Sequence, residues 1–316
     1  MNFVQLEYLR ELHIRGSFSK AAQILGVTQP ALTLQIQKLE EELDFKLLDR
    51  SKRPFKFTVE GETFYLKAVE ILKMVDQLKQ ISIEISEEVK GQIIVGIIPT
   101  LAPYLVPLFI NELNRCYPKL QVEVVELKTE EIISRLKLGN IDCGILSTPI
   151  TTGNIAITPL FYERFYTYIS ENHELYKQDS VDIHEINDSD IWYLEEGNCF
   201  QNQVNSICKI NIQKKTSQNL VYKSSSIESL RRIVENKNGI TFIPELATLN
   251  IPSELEEMVK EISGEQPVRE ISLVTPRNYS KERQVEALKN VILKSIPKRM
   301  QERPDSWIVD TELDIN

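Results

Sequence analysis

Ser17-Phe18-Ser19-Lys20-Ala21-Ala22-Gln23-Ile24-Leu25-Gly26-Val27-Thr28-Gln29-Pro30-Ala31-Leu32-Thr33-Leu34 is the stretch on which the reading of the N-terminal part turns. A helix begins near Ser17 and carries Phe18, Ala21, Ala22 and Leu25, and Leu25-Gly26-Val27 makes a tight turn. Thr28 then caps a following helix, with Pro30 in its first turn, where a missing N–H costs nothing. Just upstream, residues 3 to 14 place Phe3, Leu6, Leu9 and Leu12 at helical spacing. Three short helices with this turn between the second and third make a helix-turn-helix. The third helix buries Leu32, Ile36, Leu39 and Leu43 on one stripe. Pro30, Leu34, Gln37 and Lys38 fall on the opposite side, flanked by Gln29, Ala31 and Thr33, and these seven are the candidates for reading a DNA major groove. Leu34 is the odd one. It is either an inconsequential exposed leucine or the partner of a thymine methyl group.

Residues 45 to 58 (FKLLDRSKRPFKFT) read as a short, cation-rich β-wing. Arg50 and Arg53 are its candidate phosphate contacts, which would set register and not sequence. Between Val59 and Val89 there is no proline and one glycine, and Phe64, Ile71, Leu78 and Ile85 recur every seven residues. Such a seam needs a partner helix, so residues 59–90 are expected to form a long linker helix that dimerises the chain and presents two readers to a two-fold symmetric site.

From Gly91 the pattern changes. Strands at 92–98, 120–125 and 142–146 alternate with helices at 101–115 and 129–138, the signature of an α/β domain with a largely parallel sheet. Thr100 and Thr129 each follow a strand and open a helix, so they are either plain N-caps or hydroxyls offered to a polar ligand. A second half begins near Leu160, and residues 269 to 274 and a last helix near 280–295 return to the first. Two crossings imply two lobes and a hinge. The expected organisation is therefore a winged helix-turn-helix (1–58), a linker helix (59–90) and a two-lobed, periplasmic-binding-protein-like α/β sensor domain (91–300). Lobe I takes 91–160 and 268–300, and lobe II takes 161–267. Residues 301–316 are polar and acidic without an apolar period and read as a flexible tail.

Gly197-Asn198-Cys199-Phe200-Gln201-Asn202-Gln203-Val204-Asn205-Ser206-Ile207-Cys208 sets two cysteines nine positions apart in a helical-looking segment. At about 1.5 Å per residue, a helix holds their Cα atoms roughly 13 Å apart and points the side chains to opposite faces. A disulfide needs about 7 Å or less. Either both are packing residues, as scattered cysteines often are, or bonding them would force the segment to refold. Cys199 stands at the start of the helix, where free N–H groups favour a reactive thiolate, and Asn198, Asn202 and Gln203 are candidates to hydrogen-bond it.

The chain's 316 residues and 42% apolar content allow two or three ordinary domains. No run approaches the length of a membrane helix and the N-terminus does not read as a signal peptide, so a cytoplasmic protein without membrane contact is expected. In that compartment paired cysteines are more often redox-active than structural. There is no Cys-x-x-Cys and no histidine at ligand spacing, so neither metal nor cofactor is expected. The net charge of −9 argues against nucleic-acid binding until its distribution is considered, because the cations cluster at 46–56.

Phe18-Ser19-Lys20-Ala21-Ala22, Thr28-Gln29-Pro30-Ala31-Leu32-Thr33, Lys38-Leu39-Glu40 and Leu47-Leu48-Asp49-Arg50 together resemble the LysR-type transcriptional regulators. Within that family, Leu194-Glu195-Glu196-Gly197-Asn198-Cys199 followed by Cys208 resembles the OxyR-like hydrogen-peroxide sensors. The resemblance implies Cys199 as the peroxidatic and Cys208 as the resolving cysteine, with Thr100 and Thr129 shaping a peroxide pocket. It further implies a non-enzymatic regulator of oxidative-stress genes that binds double-stranded DNA as a homotetramer, a dimer of dimers. RNA polymerase and cytosolic thiol reductants are the partners expected with it. The alternative is a metabolite-responsive LysR-type regulator holding a small ligand between the lobes near Thr100 and Thr129. A thiol peroxidase would leave the first 60 residues without a purpose.

Overall fold

The computed structural model describes residues 1–315 apart from 53, 85–87, 196–198, 209–221, 223 and 278. Arg53, Ile85 and Asn198, expected in the wing, the linker seam and the thiol's surroundings, lie outside the described residues. Two compact units form, one built on Met1–Glu88 and the other on most of the chain that follows.

In the first unit α1 (Phe3–Arg15) starts with a reciprocal cap, Asn2 Oδ1 accepting from the Gln5 N–H and Gln5 Oε1 from the Asn2 N–H, each at 3.0 Å. Ser17 caps α2 (Phe18–Leu25), and Gly26, at φ 65°, ends it in the left-handed region that glycine occupies without strain. Thr28 then caps α3 (Gln29–Leu43), as the sequence predicts. Leu32, Ile36 and Leu39 are buried, whereas Leu43, expected beside them, is half-buried. The short antiparallel wing pairs β1 (Leu48–Asp49) with β2 (Lys56–Phe57). It is tied to α3 by Glu40, a buried carboxylate that accepts from the Leu47 and Leu48 N–H groups at 3.0 and 3.2 Å and from Arg50 at 3.5 Å.

α4 (Val59–Glu84) has two apolar faces. Tyr65, Ala68, Val69 and Leu72, spaced i, i+3, i+4 and i+7, are buried against the reader, and Phe64 packs among them. The expected seam is corrected to that extent, since Phe64 serves the core of its own chain. Ile71, Met74 and Leu78 lie on the other face and are exposed, Leu78 at 68%. Because both residues already face outward, Ile71→Glu with Leu78→Glu is expected to leave the reader folded and to abolish association through this helix. A sedimentation profile unchanged by the double substitution would remove α4 from the interface.

The second unit runs β3 (Gly91–Ile97), α5 (Ala102–Cys116), β4 (Leu120–Glu126), α6 (Thr129–Lys137), β5 (Cys143–Thr148), β6 (Thr151–Thr152), β7 (Ile155–Ile169) and β8 (Ser180–Val181). It continues with α7 (Cys199–Cys208), α8 (Ile227–Asn236), β9 (Ile240–Pro244), α9 (Glu245–Thr248), β10 (Val259–Ile262), β11 (Val268–Pro276), α10 (Glu282–Ser295) and β12 (Asp314–Ile315). Among the described residues one sheet has the order β4-β3-β5-β11-β7-β10-β8, with β9 also on β7. Only β3, β4, β5 and the short β10–β8 pair are parallel in it, so the largely parallel sheet holds for the first lobe's opening strands and not beyond. β11 returns antiparallel to both β5 and β7. β7 is long enough to pair with β11 over its first part and with β9 and β10 over its last, carrying one sheet through both lobes.

Gly144 is where α6 lies down on β5: a Cβ there would come within 2.3 Å of Ile132 Cγ2 and push the helix off. This close approach sets the height of Thr129 at the helix start. The expectation of a flexible 301–316 tail is corrected. Val309 and Thr311 are fully buried, Ile308 bridges to Val268, and β12 runs parallel to β6. The segment has no long apolar period because only alternate residues of one short extended strap face inward.

Candidate functional site

Cys199 is the first residue of α7 and is buried, with its Sγ 2.8 Å from the hydroxyl of Thr129. Next to it, Phe200 is stacked on Phe165 with ring centroids 5.1 Å apart, and the guanidinium of Arg269 lies 5.0 Å from its ring centre. Arg269 is 1% exposed. It binds Glu163 at 2.6 Å, and donates to the Thr100 hydroxyl at 3.2 Å and to the Thr100 carbonyl at 3.3 Å. Glu163 is also fully buried and accepts from the Leu246 N–H at 3.1 Å.

Thr129 is thus brought to Cys199 directly, while Thr100 joins the site through Arg269. Neither Arg269 nor Glu163 is anticipated by the sequence reading. The signal that would have found them is a register one: they are directly opposed residues on β11 and β7, a single inward charge on each of two neighbouring strands. Asn202 and Gln203, expected around the thiol, turn instead to the C-terminal strap. Their side-chain amides donate to the Thr311 and Val309 carbonyls at 3.1 and 2.9 Å. The Oε1 of Gln203 accepts from the Ser147 hydroxyl at 3.4 Å.

The electrostatics correct the expectation of a resting thiolate. Burial pushes the Cys199 thiol above its ordinary value, opposed by the Thr129 hydrogen bond, by its own backbone N–H and by the charge of Arg269, while Glu130 adds to the upward push. Desolvation outweighs the helix start. Glu163 is pushed up by burial and held back by Arg269. Cys208, at the far end of α7, is raised to about 12 by burial, with the Asp188 charge adding to it, so it keeps its proton at neutral pH. All four cysteines are unbonded, and the ten-residue helix holds Cys199 and Cys208 at opposite ends.

On α3, Gln29, Pro30, Ala31, Leu34 and Lys38 are exposed, Leu34 at 50%, and Thr33 and Gln37 are half-buried. These residues form one outward face. Arg50, expected as a free phosphate contact, is braced from behind: besides Glu40, it lies 5.6 Å from the centre of the Phe18 ring. Among the described residues no cluster of His, Cys, Asp and Glu has the makings of a metal site, and no helix is long and apolar enough to cross a membrane.

The profile of the bacterial regulatory helix-turn-helix proteins of the lysR family matches residues 3–62, and that of the LysR substrate binding domain matches residues 86–296. The chain belongs to the LysR-type transcriptional regulators. It is 34% identical over 250 residues to a hydrogen peroxide-inducible genes activator of Haemophilus influenzae, covering 79% of this chain and 82% of the relative. With the DNA-binding transcriptional dual regulator OxyR of Escherichia coli it shares 33% over 247 residues, 78% of this chain and 80% of that one. A full-length OxyR variant from Pseudomonas aeruginosa superposes with a TM-score of 0.81 at 27% identity, over 96% of this chain and 99% of that chain. This LysR-type regulator is therefore a DNA-binding transcription factor of a non-enzymatic family.

Because the thiolate is the nucleophile, alkylation of Cys199 in a Cys208→Ser background is expected to rise with pH through a midpoint above that of free cysteine. Thr129→Val, which removes the hydroxyl from the sulfur, is expected to move that midpoint further up and to slow alkylation at neutral pH by about tenfold, the scale of one lost hydrogen bond to a charged group. Iodoacetamide rates between pH 6 and 10 check both. A midpoint at or below the ordinary cysteine value would contradict the burial argument.

Proposed function

We propose that this LysR-type regulator senses hydrogen peroxide through a reversible Cys199–Cys208 disulfide and controls oxidative-stress genes. The observation that carries the reading is Cys199 itself, a buried thiol hydrogen-bonded to Thr129 beside the charge of Arg269, opening a helix that ends at Cys208. The names of its relatives, hydrogen peroxide-inducible genes activators and OxyR, support the same oxidant.

The chemistry balances within these groups. The Cys199 sulfur, having lost its proton, attacks one peroxide oxygen, and the O–O bond breaks to leave a sulfenic acid and, after proton transfer, water. Thr129 and the fixed positive charge of Arg269 favour the anionic forms in this step. Cys208 then displaces the sulfenic hydroxyl, an S–S bond forms and a second water leaves. Peroxide has been reduced and two thiols oxidised, and cytosolic thiol reductants reverse the bond by exchange. Closing the disulfide cannot be done on an intact α7, so Phe200 and Ile207, both buried in the second lobe, are drawn along. The reader is held on double-stranded DNA as a dimer through α4, in a homotetramer built as a dimer of dimers, and its repositioning changes the contact with RNA polymerase.

One equivalent of peroxide is expected to remove two thiols per wild-type chain, to stop at a sulfenic acid in Cys208→Ser, and to leave Cys199→Ser slow to oxidise. A wild-type chain that keeps all four thiols under these conditions would defeat the peroxide reading. On the reader, Arg50→Ala is expected to weaken specific and random DNA alike and to flatten the salt dependence by a slope of about one. Leu34→Ala should change preference among sites, and equal losses on both DNAs would remove Leu34 from the base-reading set.

A further inference from the structure

The C-terminal strap is anchored at both ends and in the middle. At its start the Val268 N–H donates to the Trp307 carbonyl and the Val309 N–H to the Val268 carbonyl, both at 2.9 Å. At its end Asp314 and Ile315 pair with Thr151 and Thr152, and the Thr151 N–H donates to the Leu313 carbonyl at 3.2 Å. Between these ends, Val309 and Thr311 face inward and are fully buried while Asp310 and Glu312 face solvent. The two inward residues also carry the carbonyls that accept the Gln203 and Asn202 amides. Asn202 and Gln203 are three and four residues beyond Cys199, one turn along the same side of α7. The strap therefore grips α7 immediately behind the reactive thiol, and beside Arg269 it is stitched to the backbone of β11.

We infer that the strap is a brace that positions Cys199 by keeping α7 helical, and that it must come off its seat for the Cys199–Cys208 bond to close. The inference rests on the disulfide reading above and adds the element that restrains it. Bringing the two cysteines from opposite ends of a helix to bonding distance unwinds the turn that carries Asn202 and Gln203. Their amides then leave the Val309 and Thr311 carbonyls, and a buried carbonyl stripped of its donor is penalised by its full desolvation unless the strap moves to water with it. Linkage makes the effect reciprocal: what loosens the strap favours the bonded form, and the bonded form loosens the strap.

The test uses the full chain, a chain ending at Ser306, and the full chain with Asn202→Leu and Gln203→Met, which keeps the strap and removes its grip. Hydrogen exchange of residues 307–315 is followed before and after disulfide formation, with peroxide and separately with diamide, a general thiol oxidant. The rate of disulfide closure is measured relative to the rate of sulfenic-acid formation, the latter by trapping in Cys208→Ser versions of each chain. Protection of 307–315 should be lost in the bonded form, and closure relative to sulfenylation should be faster in both weakened chains by on the order of tenfold, an ordinary inter-site coupling. Equal protection in both redox states, or an unchanged or lower ratio in the double-substituted chain, overturns the inference. If the truncated chain does not fold, the double-substituted chain decides alone. Strap release with diamide but no reaction with peroxide would defeat the peroxide reading and leave the brace standing.

Discussion

The ion pair between Arg269 and Glu163 orders the regulatory domain around it. Both groups are withdrawn from water, at an effective cost of about several kcal/mol per ion, and that cost is offset only because every face of the pair is satisfied. Glu163 takes the Leu246 N–H, and Arg269 takes both oxygens of Thr100 and the face of Phe200. Each of those partners belongs to a different element: the start of α9, the loop before α5, and α7. A cross-strand pair between β11 and β7 thus fixes the spatial relation of the segments that surround Cys199. It also leaves one cationic centre near a thiol that burial alone would keep firmly protonated.

α7 is built so that its chemistry and its packing are opposed. Phe200, Val204 and Ile207 sit in the core of the second lobe, and each is worth about 1.5–3 kcal/mol in burial. The helix that this packing stabilises is the conformation in which Cys199 and Cys208 cannot bond. Under the proposed peroxide reaction, the reduction of peroxide would oppose such a sum, and a local two-electron event would act on a cooperative piece of structure. The strap adds polar ties at Asn202 and Gln203, so the segment is held both by apolar contacts and by carbonyl acceptors.

In the reader the corresponding device is Glu40. A carboxylate inside a small apolar core is tolerated because it closes the first backbone N–H groups of the wing and meets Lys46 and Arg50 at the surface. The arrangement makes the wing's angle to α3 a property of the core. α4 then shares its apolar residues between that core and an exposed stripe.

Local signals carried the reader and most of the element order. Thr28, Pro30 and Gly26 act within a few residues through caps and a left-handed turn, the alternation after Gly91 reports strand and helix, and the Cys199–Cys208 spacing is a statement about one helix. What only the tertiary structure decided depends on pairs distant in the chain. Arg269 meets Glu163 through strand register, and Phe64 turns inward because the reader's core needs it, though its heptad position is that of the seam. Cys199 is held as a thiol because burial outweighs the helix start, a balance that no spacing reveals. The strap at 307–315 looked loose because one-sided burial of alternate residues is nearly silent in a short polar sequence, and only its neighbours in space, Val268, Thr151 and the amides of α7, supply the partners that hold it.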